Sequence, residues 1–282
     1  MKRCLLLSVL IGLFSGSISF AQVLDPDAPI DGVVKRESNR QRKAIPYSPL
    51  RESDVIGLKR VWRYIDLREK MNLPLYYPIR ETNGMKSLAD LLYSSITSGE
   101  GAPRIYHGVA DDFSQEMTPT EFKNSVEKVD STYVPNLDDP EGPQILKLVP
   151  HTFEPSRVKK FWIKEEWFFD KQRSVMECRI IGICPLYENE DKDKGDTPLF
   201  WLYFPHIRPL LAKNDLFNTR NAAKRMTFDD LFKERKFSSY ITKEENVYDR
   251  VISEYSKGLD ALLESERIKH EITDREHTLW EY

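Results

Sequence analysis

The chain has 282 residues, of which 40% are hydrophobic, and its 42 Lys and Arg against 45 Asp and Glu give a formal charge of −3. That length and composition allow a substantial buried core, in one large domain or two smaller ones. The mildly acidic balance excludes the basic footprint that nucleic-acid binding requires.

The opening stretch MKRCLLLSVLIGLFSGSISFAQ sets Lys2 and Arg3 before an apolar run from Leu5 to Phe14 and ends on Ser19-Phe20-Ala21. This is the pattern of a secretory signal peptide cleaved after Ala21. The run is too short for a bilayer span, which takes roughly 20 apolar residues. Cys4 precedes the apolar run, so the lipoprotein arrangement, with cysteine at the cleavage point, is missing. The expectation is a soluble exported protein whose membrane association comes through a partner. Residues 22–50 follow, rich in proline and carrying Lys35, Arg36, Arg40, Arg42 and Lys43. They read as an extended arm, either ordering on a partner or spacing the domain from the export machinery.

Residues 51–130 are predicted to be mainly helical. In VWRYIDLREKMNLPLYYP, Val55, Leu58, Trp62 and Ile65 recur at helical spacing after a Ser53 or Asp54 cap, and Asn72 and Pro74 stop the element. Arg63 falls on its charged flank. Leu75-Tyr76-Tyr77, closed by Pro78, reads as an edge strand. A second helix is predicted over 86–98, with Leu88, Leu91, Leu92 and Ile96 on one face and Gly99 as its stop. A third starts at Thr118-Pro119-Thr120-Glu121, a capping box with proline at the first helical position. The proline-rich stretch 131–156 marks a soft boundary, although 51–282 could equally be one compact domain.

Residues 157–282 open with segments 157–170, 173–184 and 198–204, rich in aromatic and β-branched residues and joined by short connections. They predict an antiparallel meander. Two further helices are predicted, opened by Thr227 with Asp230 and by Thr242 with Glu245, the last carrying Val247, Val251, Tyr255, Leu259 and Leu262 on one side. The fold class is therefore α+β: an antiparallel β-meander packed with several helices, preceded by an extended arm. Cys178 and Cys184 in CRIIGIC would lie about 20 Å apart on one strand, too far for a bridge, so buried free thiols are expected. A turn at Gly182 is the arrangement that would permit a disulfide.

Enzyme chemistry finds no foothold. Glu165 and Glu166 would point to opposite faces of a strand, so they cannot serve as a paired acid and base. The five histidines lack metal-ligand spacing, with His270 and His277 two helical turns apart. DKDKGD lacks the twelfth-position carboxylate of a calcium loop, and Gly99-Glu100-Gly101 lacks the Lys-Ser/Thr of a phosphate cradle. No Gly-x-Ser-x-Gly elbow is present, and no cofactor is implied. What stands out is aromatic surface. Runs such as Trp167-Phe168-Phe169 and Phe200-Trp201-Leu202-Tyr203 put rings on both faces of a sheet, so both must be covered, by helices of the same chain or by another subunit.

Five blocks carry a family resemblance: VWRYIDLREKMNLPLYYP, IKEEWFFDKQRSVMECRIIGICP, LFWLYFPHIRPLLA, FNTRNAAKRMTFDDLFKERKFSSYITKEENVYDRVISEY and LLESERIKHEITDREHTLWEY. In order and spacing, from about residue 50 to Tyr282, they resemble the gliding motility proteins of the GldN family, called PorN in non-gliding relatives. The resemblance implies a periplasmic, non-catalytic subunit of the type IX secretion machinery. Such a subunit forms a ring beneath the outer membrane with a lipoprotein of the GldK or PorK type, and contacts the inner-membrane motor protein GldM or PorM. Candidate partner-binding residues are Arg63, Tyr76, Tyr77, Trp162, Trp167, Trp280 and Tyr282. The alternative reading is an exported protein that binds or cleaves peptidoglycan, which would also use aromatic surface to stack on sugars.

Overall fold

The structure, a computed structural model, describes residues 41–82, 84–99, 101–127, 129–134, 145–150, 153–189, 195–217 and 225–280. The expected signal peptide, most of the arm, the DKDK segment and Tyr282 lie outside these residues.

The first regular element corrects the helix expected after Ser53. Val55–Asp66 is a strand, β1. Val61, Trp62, Arg63 and Ile65 are all buried, which a helix with one apolar stripe cannot achieve but a strand covered on both faces can. Its density of β-branched and aromatic residues favours the extended form. The Tyr76-Tyr77 edge strand is likewise corrected. Leu73–Tyr76 is a one-turn helix, α1, with proline in its first turn, where the missing N–H is no loss.

The next two helices form where expected. Leu88–Thr97 (α2) is capped by the Ser87 side chain, and after Ile105–His107 (β2) and Glu116–Met117 (β3), Pro119–Val126 (α3) begins on the Thr118–Glu121 capping box. Val129–Val134 (β4) and Ile145–Pro150 (β5) pair with each other in a two-stranded sheet.

Val158–Asp170 (β6) and Val175–Tyr187 (β7) form a long hairpin, followed by Thr197–Pro198 (β8) and Phe200–Tyr203 (β9). β9 runs straight into Phe204–Lys213 (α4), and Phe228–Lys233 (α5) starts on the Thr227–Asp230 capping box. The helix expected at Thr242 is absent: Tyr240–Glu244 is a strand, β10, because Tyr240, Ile241 and Lys243 pair with β1. Helix resumes at Ile252–Tyr255 (α6) and, after Gly258 at φ +60°, at Leu259–Trp280 (α7). The stripe on α7 that packs is Ile268 and Ile272, whereas Val247 lies outside the helix and is 98% exposed.

The main sheet runs β10-β1-β6-β7-β9-β2-β3, with β8 on β7, and its pairings are antiparallel. Strand alternation puts Val61, Arg63, Ile65, Phe161, Ile163 and Glu165 on one face. There α2, α4 and α5 build the main core over Ile65, Phe161 and Ile163, and α7 packs Ile268 and Ile272 on Val61 and Ile241. The other face carries Trp62, Trp162, Cys184 and Trp201, roofed by the 108–114 loop through Phe113. Trp62 Nε1 donates to Asp111 Oδ2 at 2.5 Å, and Lys164 Nζ to the Asp111 carbonyl at 2.7 Å. Gly182 permits this roof, since a Cβ there would lie 2.7 Å from the Phe113 ring. Much of the aromatic surplus is thus sheltered by the chain itself. Cys178 and Cys184 are unbridged, and burial holds both thiols above their ordinary pKa.

Candidate interaction surface

The unusual feature of the α7-covered face is a buried cluster of charge. Glu165 on β6 is fully buried, which is tolerable only if its charge is paired and its lone pairs are filled. Arg235, held at φ +52° in the loop after α5, places Nη1 3.0 Å from Oε1 and Nη2 3.2 Å from Oε2. Trp167 Nε1 donates to Oε2 at 3.2 Å, and Cys178 Sγ lies 3.6 Å from the same oxygen. Arg63 on β1 brings Nε to 3.2 Å from Oε2, yet its N–H does not aim at that oxygen. Burial lowers the Arg63 pKa, opposed chiefly by Glu165. Glu166 faces the other way and pairs with Arg60 at 2.9 Å, so the two carboxylates are separated as strand geometry requires.

Above the cluster opens a cleft of about 410 Å³, floored by Arg63 and Arg235, walled by Trp167, Phe237 and Ile272, and rimmed by Lys269 of α7. Asn72, itself fully buried, fixes its wall by donating to the carbonyls of Asp66 and Ser238 and accepting from Ser238 N–H at 2.9 Å. Met71 lines this cleft and also a neighbouring, largely apolar groove of about 590 Å³ with Leu73, Pro74, Tyr77 and Leu216.

The expected contact residues are distributed as follows. Arg63 and Trp167 meet at the cleft, with the guanidinium 5.9 Å from the indole. Tyr76 and Tyr77 meet edge to face at 5.1 Å; Tyr76 is tied to Ser156 and Lys159 through its hydroxyl, and Tyr77 is exposed beside the groove. Trp162 lies on the opposite sheet face, half-buried against Trp201 and Tyr64. Trp280 ends α7, with its side chain outside the described residues, as is Tyr282.

Sequence reasoning missed Arg235, Lys269 and an apolar surface around α6 and the start of α7. Val247, Tyr248, Tyr255, Leu259, Leu262 and Leu263 are exposed there, Leu259 at 70%. Arg250 lies over both Tyr248 and Tyr255, at 4.5 and 5.8 Å, and the Tyr255 hydroxyl reaches Glu264 on α7. Apolar side chains grouped in this way on a surface mark interaction sites. Gly258, a break inside the supposed stripe, was the available signal. Among the described residues no His, Cys, Asp or Glu cluster could hold a metal ion, and no helix is long and apolar enough to cross a membrane.

No curated protein matches the chain. The family described as Gliding motility associated protein GldN matches residues 50–281, which takes in every element from β1 through α7. The chain belongs to the GldN family, and is thereby a component of the gliding motility and type IX secretion machinery.

Proposed function

We propose that the chain is a non-enzymatic structural subunit, exported to the periplasm and held beneath the outer membrane by a lipoprotein of the GldK or PorK type. With that lipoprotein it builds a ring, and it contacts the periplasmic part of a GldM- or PorM-type motor protein. The family membership carries this reading. The exposed apolar surface from Val247 to Leu263 supports it, because a protein whose main core is already closed leaves these side chains in water unless a partner takes them. Ring closure requires head-to-tail contacts between different surfaces of each copy.

Electron microscopy of the chain expressed with and without its lipoprotein partner tests the proposal. Closed rings are expected with the partner. Dispersed single particles in both samples contradict it, and so does release of soluble fragments from purified peptidoglycan, the mark of a hydrolase.

A further inference from the structure

The geometry points to a carboxylate-binding slot over Arg63, Arg235 and Lys269, taking an aspartate or glutamate side chain from a partner protein. The slot itself stands on its own observations. Its role in docking rests on the structural-subunit reading above.

Three cations meet at this cleft. Glu165 is engaged by the Arg235 fork, Trp167 and Cys178. Lys269 is held at the rim by the exposed Glu266 at 3.2 Å. Arg63, Arg235 and Lys269 against Glu165 and Glu266 leave one positive charge in excess. Arg63 and Arg235 share the one charge of Glu165: the Arg63 side chain is only 7% exposed, and its Nε lies 3.2 Å from Oε2 yet finds no hydrogen-bond acceptor among the described residues. An incoming carboxylate would balance the excess positive charge from the cleft side, since Arg presents a planar fork suited to carboxylate oxygens.

The walls select for a side chain on a protein. Trp167, Phe237 and Ile272 provide apolar contact for the methylenes of a glutamate, and about 410 Å³ is within the range of pockets that enclose a ligand group. The Asn72 clamp holds the wall in place, so little ordering is needed on binding.

Glutarate serves as the probe, with glutaramide and inorganic phosphate as comparisons, titrated into the full chain while the arginine Nε–H resonances are followed by heteronuclear NMR. The Arg63 resonance, identified by its loss in Arg63→Lys, is expected to move and saturate with glutarate and to stay still with glutaramide. Lys269→Gln, a rim change that leaves the core untouched, is expected to weaken glutarate binding at least fivefold. The inference is overturned if glutaramide acts like glutarate, if Lys269→Gln changes nothing, or if phosphate binds tenfold tighter. A silent titration beside intact assembly with the lipoprotein discards the slot alone. Saturable glutarate binding with no assembly discards the partner reading alone.

Discussion

Arg235 grips Glu165 across 70 positions of sequence, with Nη1 to Oε1 at 3.0 Å and Nη2 to Oε2 at 3.2 Å. The pair ties the loop after α5 to the middle of the sheet. Removing one member strands the other's charge in a buried site, so Glu165→Gln should lower unfolding stability by about 3–5 kcal/mol. Urea midpoints of this variant and of the unaltered chain check this, and a Glu165→Gln change below about 1 kcal/mol would refute the role given to the cluster.

The 108–114 roof depends on close backbone approach. A Cβ at Gly108 would lie 2.5 Å from the Pro198 carbonyl oxygen and 2.8 Å from its carbon, a backbone neighbour that cannot swing aside. Gly108→Ala should therefore cost about 1–3 kcal/mol, the usual range for overpacking. Thermal melting followed by tryptophan fluorescence reads it directly, and an unchanged midpoint is the opposing result.

Alkaline pH should destabilise the fold. Burial raises the Cys178 and Cys184 thiols above their ordinary value of 9.0 and pushes Tyr64 from 10.0 to about 12. These groups stay neutral in the native state but ionise on unfolding, so stability is intact below about pH 9 and is lost as pH rises from there toward 12. Each group contributes at most about 1.4 kcal/mol per pH unit within its window. Urea titrations from pH 7 to 11 should show the decline, and Cys184→Ala should flatten its first part. A level profile would count against the burial of these groups.

The α6–α7 surface should matter to assembly and not to folding. Leu259, Leu262 and Leu263 are all more than half exposed. Changing all three to aspartate is expected to shift stability by less than about 0.5 kcal/mol each, since surface substitutions away from core and caps are mild. Co-purification with the lipoprotein should fall at least tenfold. Retained capture would move the interface elsewhere.

The parts of the fold legible in sequence are those fixed by local chemistry. Thr118 with Glu121 and Thr227 with Asp230 announce α3 and α5 because the capping contacts are made within one turn. The β6–β7 hairpin is legible from its aromatic and β-branched density. β1 is misread because covering a strand on both faces erases the period-two pattern, and its apolar residues happen to fall at helical intervals as well. Thr242 and Glu245 imitate a cap, and only pairing with β1 makes that segment a strand. At the cleft, Arg63 and Trp167 could be singled out as arginine and aromatic residues typical of interfaces. Their meeting with Arg235 and Lys269 could not, because it is set by long-range packing of α7 and the 235–239 loop on the sheet.

On the proposed function, this chain works by binding other subunits. Mixing the purified chain with its GldK- or PorK-type lipoprotein at micromolar concentration and weighing the particles by mass photometry addresses it most directly. Particles many times heavier than a one-to-one pair are predicted, and a chain that remains monomeric and indifferent to the lipoprotein would contradict the account.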